Sequence, residues 1–227
     1  MTTVFGLKPD DIEASILVAD RQATYLNKDG MQASKILNRK LWASKDGMYG
    51  FGHSGFRDNE LGDLIQKLSD NEIDVEKIIK EGYFPELRDL NIKRMGKKLP
   101  DNQNISGFIL ATRFENKPKL YTCFPLGSVE KRGWTTMGSG ETKVDEYISA
   151  LSIITESRDY QEHRAGSTIQ DYIQIGLEAV RRAQSQDIYS HGLDMIICTP
   201  EALHDHYADL GDDFGNKLKK IQEFYKK

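Results

Sequence analysis

The sequence predicts an α+β fold in which two antiparallel β-sheets pack face to face, with helix pairs on the outside. Short strand-like runs are followed by two helical segments and then by a second group of strands, without the strand–helix alternation of a parallel sheet. Turn signals join neighbouring strands into hairpins. The chain has 227 residues, 38% of them hydrophobic, and no linker or repeat divides it. We therefore expect one domain over residues 1–227.

Two hairpins are predicted at the start of the chain. The runs "TVFGLK" and "ASILVAD" flank the turn "PDDIE", so the second strand ends at Asp20. The runs "KLWAS" and "MYGFGHSG" form a second pair around the turn of Lys45, Asp46 and Gly47.

Helical spacing begins after the second hairpin, with Asp58 placed to cap the first helix. Its predicted buried face consists of Leu61, Leu64, Ile65 and Leu68. A second helical stretch contains Val75, Ile78 and Ile79. Residues 91–104 are rich in Lys, Asn and Gly, which predicts a loop.

The second half of the chain repeats the strand–helix order. Strands are predicted in "GFILATRF", "KLYTCFP" and "GWTTMG", and helices after Gly140 and from Thr168. The strand "LDMIICTP" follows, and an amphipathic stretch with Leu218, Ile221 and Phe224 ends the sequence.

Composition and charge argue against nucleic acid and membranes as partners. The net charge is −4 and the basic run "NIKRMGKKLP" is isolated, so nucleic acid is not an expected partner. No apolar run approaches the roughly 20 residues that span a bilayer, and no signal-peptide pattern is present. We expect a soluble, cytoplasmic protein without a membrane partner. Cys123 and Cys198 lie in separate apolar runs and are predicted to be buried thiols.

Neither a cofactor nor a metal is predicted. "GWTTMGSGETK" places two glycines at the spacing of a phosphate-binding loop, but Ser139 stands where that loop needs its lysine. His204 and His206 have no third ligand at a diagnostic spacing, and we interpret them as solvated side chains at a helix start. No serine or cysteine lies in a recognised nucleophile motif.

The opening "MTTVFGLK" points to another kind of nucleophile. Removal of Met1 would leave Thr2 with a free α-amine, whose pKa near 7.7–8.0 suits it to act as the base for its own hydroxyl. A buried cation paired with a carboxylate would favour the alkoxide. Asp20 ends the second predicted strand and Lys40 begins the third, so both are candidates for this pair.

Together these residues match a family. The stretches "TTVFGLK" and "ILVADRQAT" resemble the amino-terminal sequence of proteasome β-type subunits, the threonine peptidases of the N-terminal nucleophile class. Thr2, Asp20 and Lys40 fall on the family's nucleophile, aspartate and lysine, and the interval from Lys40 to Asp58 has the family's spacing. The resemblance covers about residues 2–200, and residues 201–227 are interpreted as a C-terminal helical extension.

Two later motifs extend the resemblance. "MGSG" supplies Ser139 where the family has a serine between glycines, and "QDIYSHG" supplies Asp187 and Ser190. The resemblance implies that Asp187 and Ser190 hold the threonine and its amine, that Ser139 bonds the amine side, and that Asp20 pairs with Lys40. It further assigns oxyanion and substrate binding to Ser54, Gly55 and Ala23.

The resemblance also implies a fold, a reaction and an assembly. The fold would be a four-layer αββα sandwich, and the protein would be a threonine endopeptidase that cleaves peptides or unfolded proteins through an acyl-enzyme on Thr2. The chain would assemble into a homo-oligomeric ring that encloses its active sites, with an ATPase or another ring as a further partner. No cofactor or metal is implied.

Three alternatives stay open at this stage. A shifted alignment would give the lysine position to Lys35 instead of Lys40. The chain could serve as a catalytically silent ring subunit, although such a subunit has no reason to keep Thr2, Asp20 and Lys40 together. The same acyl intermediate would also support an amidase or a peptide ligase, because hydrolysis and transfer differ only in what attacks the ester.

Overall fold

A computed structural model describes residues 3–26, 32–37, 39–55, 58–95, 105–156, 168–184 and 193–206. For residues 22–26, 32–37 and 152–156 only the backbone is described. The strands are β1 (Thr3–Leu7), β2 (Ser15–Asp20), β3 (Gln22–Leu26), β4 (Gln32–Leu37), β5 (Leu41–Ala43), β6 (Tyr49–Ser54), β7 (Gly107–Thr112), β8 (Lys119–Cys123), β9 (Val129–Arg132), β10 (Trp134–Gly138), β11 (Leu193–Cys198) and β12 (Leu203–Asp205). The helices are α1 (Asn59–Ser69), α2 (Val75–Glu81), α3 (Pro85–Met95), α4 (Glu141–Glu156) and α5 (Ile169–Gln184).

The strands form two five-stranded antiparallel sheets and a separate hairpin. The first sheet has the order β10-β1-β2-β11-β12 and the second has the order β5-β6-β7-β8-β9. Among the described residues, β3 and β4 form a two-stranded sheet of their own. The α+β class predicted from the order of elements is therefore confirmed.

Apolar side chains divide into three buried clusters. The first joins β1, β2 and β11 to α4 and α5, and Phe5, Val18 and Ile173 are among its members. The second joins β6, β7 and β8 to α1, α2 and α3. The third contains Val4, Leu17 and Ile109, which come from both sheets. Successive side chains of a strand point to opposite faces of its sheet, so each sheet contributes to two clusters.

Several predicted elements are confirmed. β1 pairs with β2, and β5 pairs with β6, so both predicted hairpins form. Asp58 caps α1, accepting a hydrogen bond of 2.9 Å from the Leu61 N–H. The predicted helices appear as α1, α2, α4 and α5. Cys123 and Cys198 are buried free thiols, as expected.

The prediction of a loop over residues 91–104 is wrong for its first part, because α3 continues to Met95. The buried face of α3 consists of Leu87, Leu90, Asn91 and Arg94. These positions have helical spacing, but two of the four side chains are polar, so the apolar periodicity that identifies a helix is interrupted. Residues 96–104 lie outside the described part.

The segment after the predicted strand "LDMIICTP" also differs from expectation. Residues 203–205, which were assigned to a helical extension, form β12 against β11. His204 and His206 are therefore not at a helix start, and their rings lie 6.3 Å apart. The rest of the extension, residues 207–227, lies outside the description. Among the helices described, none has the length and apolar character needed to cross a membrane.

Candidate active site

Asp20 is the centre of the candidate site. It ends β2, is only 3% exposed, and accepts two hydrogen bonds on the same oxygen. The Thr3 N–H donates to its Oδ1 at 2.8 Å, and Lys40 Nζ donates to the same atom at 2.7 Å. The pairing of Asp20 with Lys40 that the resemblance implies is thus present. One carboxylate oxygen ties the first described residue of the chain to a buried ammonium group.

The surroundings of Lys40 destabilise its charged form. It is only 3% exposed, and burial lowers its pKa, although the carboxylates of Asp20 and Asp194 act in the opposite direction. Its backbone carbonyl accepts a hydrogen bond of 3.3 Å from the His53 N–H, which joins the start of β5 to β6. A buried lysine with a lowered pKa is a common component of catalytic sites.

The turn that contains Ser139 packs against the start of β1. Thr3 pairs with Gly138 across the sheet, and a Cβ atom on Gly140 would lie 2.3 Å from Thr3 Oγ1. Only glycine fits there, because a methyl group would overlap the threonine hydroxyl. Ser139 is exposed between these two glycines. The structure therefore brings the "MGSG" motif to the strand end where Thr3 and Asp20 meet.

The predicted oxyanion turn follows β6. Ser54 is the last residue of that strand, opposite Gly107, and it stands one position after His53. Gly55 has φ +125°, a conformation that L-residues with a side chain rarely adopt. A Cβ atom on Gly55 would lie 2.5 Å from the Ile105 carbonyl oxygen and 2.7 Å from Ser106 Oγ. The turn is therefore packed directly against the backbone that precedes β7.

A cavity of about 620 Å³ connects two of these features. Ser54 and Gly107 line one part of it, and Met137 and Gly138 line another. Thr122 and Thr135 contribute hydroxyl groups, which hydrogen-bond to each other at 2.8 Å. The cavity is large enough for a few residues of a peptide, and it reaches both the Ser54 turn and the strand end beside Thr3.

Asp194 is a member of the site that the sequence analysis missed. It lies on β11 opposite Ala19, has no exposed surface, and its Oδ1 is 3.5 Å from Arg21 Nε. Burial raises its pKa to about 7, against the opposing effects of the Arg21 guanidinium and the Lys40 N–H. One signal was available, because Asp194 is the only charged residue in the apolar run "LDMIIC". We call Asp20, Lys40 and Asp194 the lysine cluster.

Several predicted site residues lie partly or wholly outside the part of the chain that the structure describes. Thr2, Asp187 and Ser190 are not among the described residues. Ala23 lies on β3 opposite Ile36, but only its backbone is described. The same holds for Lys35 on β4, so the choice between Lys35 and Lys40 rests on the contact that Lys40 makes with Asp20.

In the part of the chain that the structure describes, no group of three or more His, Cys, Asp or Glu side chains is placed to hold a metal ion. No family model matches the chain, and no curated protein matches it significantly.

Proposed function

We propose that this protein is a threonine endopeptidase of the proteasome β type, with Thr2 as nucleophile after removal of Met1. The observation that carries the proposal is the shared Oδ1 atom of Asp20, which binds the Thr3 N–H and Lys40 Nζ within one buried site. Thr2 is bonded directly to Thr3, and the proposal places it beside this ion pair.

In the proposed reaction, the Thr2 hydroxyl oxygen attacks the carbonyl carbon of a peptide bond, and its proton passes to the α-amine of the same residue. The carbonyl electron pair moves onto oxygen, and a backbone N–H of the Ser54–Gly55 turn donates to that oxyanion. The C–N bond then breaks, and the departing amine takes the proton. Water attacks the resulting ester, which releases the acyl product and restores the hydroxyl.

The charged groups have separate roles in this scheme. Lys40 supplies a positive charge that favours the alkoxide and keeps the α-amine neutral, and Asp20 compensates that charge in a buried site. Asp187 and Ser190 are proposed to hold Thr2 and its amine, and Ser139 to bond the amine side. The cavity beside Ser54 is proposed to receive the substrate chain, and Ala23 to contact it.

The proposal includes the four-layer αββα sandwich of the N-terminal nucleophile class. Its support is the separation of the buried side chains into one cluster shared by the two sheets and two clusters that each join one sheet to its own helices. The order β10-β1-β2-β11-β12 also places β1 inside its sheet, where neighbours on both sides hold the start of the strand.

The decisive experiment combines mass and activity. Intact mass should show that the active protein begins at Thr2, and Thr2→Ala should lower peptidase activity by several orders of magnitude without changing the fold. Thr2→Ser keeps both the hydroxyl and the amine and should retain measurable activity. Full activity in Thr2→Ala, or in protein that still carries Met1, would refute the mechanism. Adding a competing amine to the assay separates hydrolysis from acyl transfer.

We further propose that the chain forms a homo-oligomeric ring with the Thr2 sites facing an enclosed chamber, and that an ATPase or another ring is a further partner. Four apolar side chains on α3 and beside it are at least one-third exposed: Tyr83, Ile92, Met95 and Leu126. Burial of such a set in a subunit contact would be favourable. Sedimentation should give a mass far above 25.8 kDa, and a monomer that cleaves peptides would refute the ring alone.

A further inference from the structure

A second buried polar group lies behind the Ser54–Gly55 turn. It consists of Asp58, Asn91, Arg94 and Ser106, which we call the arginine cluster. Asn91, Arg94 and Ser106 have no exposed surface at all. Such burial of a guanidinium and an amide is costly unless their hydrogen-bonding groups are matched by partners. The partners of this cluster show what it holds in place.

All three polar groups of Ser106 are bound by side chains of α3. Arg94 Nη1 donates to Ser106 Oγ at 2.6 Å, and Asn91 Nδ2 donates to the Ser106 carbonyl oxygen at 2.9 Å. The Ser106 N–H in turn donates to Asn91 Oδ1 at 2.8 Å. The N–H, the carbonyl oxygen and the hydroxyl oxygen of Ser106 are therefore each hydrogen-bonded to α3. Asn91 extends the network by donating to the carbonyl oxygens of Leu87 and Pro125.

Gly55 packs directly against Ser106. The position of a Cβ atom on Gly55 is only 2.7 Å from Ser106 Oγ and 2.8 Å from Ser106 Cα. Ser54 pairs with Gly107, the next residue along the chain. A shift of Ser106 would therefore move the end of β6 and the turn that follows it.

Arg94 also binds Asp58, the next described residue after Gly55. Its Nε donates to Asp58 Oδ2 at 3.1 Å, and its Nη2 donates to Asp58 Oδ1. Asp58 is the N-cap of α1. One planar guanidinium thus binds both Ser106, which contacts Gly55, and Asp58, which caps α1.

We propose that Arg94 and Asn91 are positioning residues for the oxyanion turn, and this inference rests on the proposed function. The turn must place a backbone N–H about 2.7–3.1 Å from the oxyanion, and the apolar packing of α3 alone does not determine the turn to that accuracy. The fork of Arg94 determines it, because it fixes Ser106, against which Gly55 packs, and the Asp58 cap of α1 relative to α3. Neither residue contacts substrate in this scheme.

The test is Arg94→Lys, which keeps the charge but cannot bind Ser106 and Asp58 as a fork. We expect kcat on a short peptide to fall by about 100-fold, with KM within about threefold, because a small displacement of a transition-state contact has effects of that size. A peptide aldehyde forms a hemiacetal with a hydroxyl nucleophile, and its affinity should fall in parallel with kcat/KM. Arg88→Lys, on the exposed face of the same helix, is the matched control and should change neither.

Ser106→Ala provides a milder variant, since it removes one hydroxyl and leaves the Arg94–Asp58 pair in place. It should lower kcat several-fold, and Arg94→Lys combined with Ser106→Ala should be no worse than Arg94→Lys alone, because both act through one contact. If Arg94→Lys does not fold, the result for Ser106→Ala decides.

The outcomes separate the two proposals. An active wild type whose folded variants keep kcat and aldehyde affinity, even with lowered stability, refutes the positioning role and leaves the peptidase standing. A folded wild type that begins at Thr2 and has no peptidase activity refutes the proposed function, and this inference with it.

Discussion

The lysine cluster and the arginine cluster both place charged groups in largely buried surroundings, yet the pKa values of their carboxyls Asp194 and Asp58 shift in opposite directions. Burial lowers the pKa of Lys40 and raises that of Asp194 to about 7, so it disfavours the charged form of both groups. The arginine cluster is built around a guanidinium, whose planar fork of donors suits it to directed hydrogen bonds. Burial opposes ionisation of Asp58, but hydrogen bonds from Arg94 and the Leu61 N–H outweigh it and lower the pKa of that carboxyl.

This difference distinguishes a site that supplies charge to a reaction from a site that maintains geometry. A cluster that favours an alkoxide needs a positive charge close to the nucleophile. A cluster that holds a turn needs many directed hydrogen bonds and no change of state. We therefore expect variants of Lys40 to act on activity, and variants of the arginine cluster to act on the shape and stability of the fold and, through the Ser54–Gly55 turn, on kcat.

The largest expected effect is on activity in the lysine cluster. Lys40→Ala should lower kcat/KM by several orders of magnitude, comparable to Thr2→Ala, because it removes the positive charge beside the nucleophile. Lys35→Ala is the matched control and should cost little. Peptide hydrolysis by the purified variants measures both. An essential Lys35 together with a dispensable Lys40 would show that the alignment through β4 must be shifted.

The next effect is on stability in the arginine cluster. Arg94→Met should reduce the free energy of unfolding by about 3 kcal/mol, since it leaves Asn91 and Ser106 in place but removes the partner of Ser106 Oγ and of the partly exposed Asp58. Arg88→Met changes an exposed side chain on the same helix and should stay within about 0.5 kcal/mol of wild type. Urea denaturation compares them. Equal midpoints would mean that the cluster contributes nothing to the fold.

Gly55→Ala tests the contact between the turn and Ser106. The left-handed φ and the close Ile105 carbonyl together should cost about 2 kcal/mol or more in unfolding free energy. Gly62→Ala places the same methyl group in open space on α1 and should instead stabilise the protein by about 0.5–1 kcal/mol. Thermal melts of the two variants should shift in opposite directions. A shift in the same direction would contradict the packing of this turn.

The smallest expected effect is the pH dependence of stability at Asp194. A carboxyl whose folded pKa is raised binds a proton in the folded state that the unfolded chain has already lost, so stability falls as pH rises from about 4 to about 7. Asp194→Asn mimics the protonated form. Its free energy of unfolding should exceed that of wild type by on the order of 2 kcal/mol at pH 8, with little difference at pH 4.

Unfolding free energies at pH 4, 6 and 8 measure this effect. Asp58 should change stability with pH in the opposite direction, because its pKa is lower in the folded protein than in the unfolded chain. Its ionised form stabilises the fold above the unfolded pKa, and this stabilisation is lost as pH falls through the folded pKa. Parallel pH curves for wild type and Asp194→Asn would show that Asp194 does not titrate in the folded protein.

Local patterns in the sequence were sufficient for the elements that interact with near neighbours. The first hairpin follows from alternating apolar runs around "PDDIE", and α1 follows from the Asp58 cap and leucines with a 3.6-residue period. Asp20 and Lys40 were also correctly expected to pair. Their charges stand at the ends of strand-like runs, a feature that is visible without any tertiary structure.

Other features depended on residues distant along the chain. α3 was missed because Asn91 and Arg94 occupy core positions, and a buried polar residue is recognisable only when its partners are known. Those partners, Asp58 and Ser106, lie 36 and 12 residues from Arg94. Asp194 was missed for the same reason, since Lys40 and Arg21 come close to it only after β2 pairs with β11. Hydrophobic periodicity and turn residues act over a few positions of the chain. The partners of a buried charge, in contrast, are determined only when distant segments pack together.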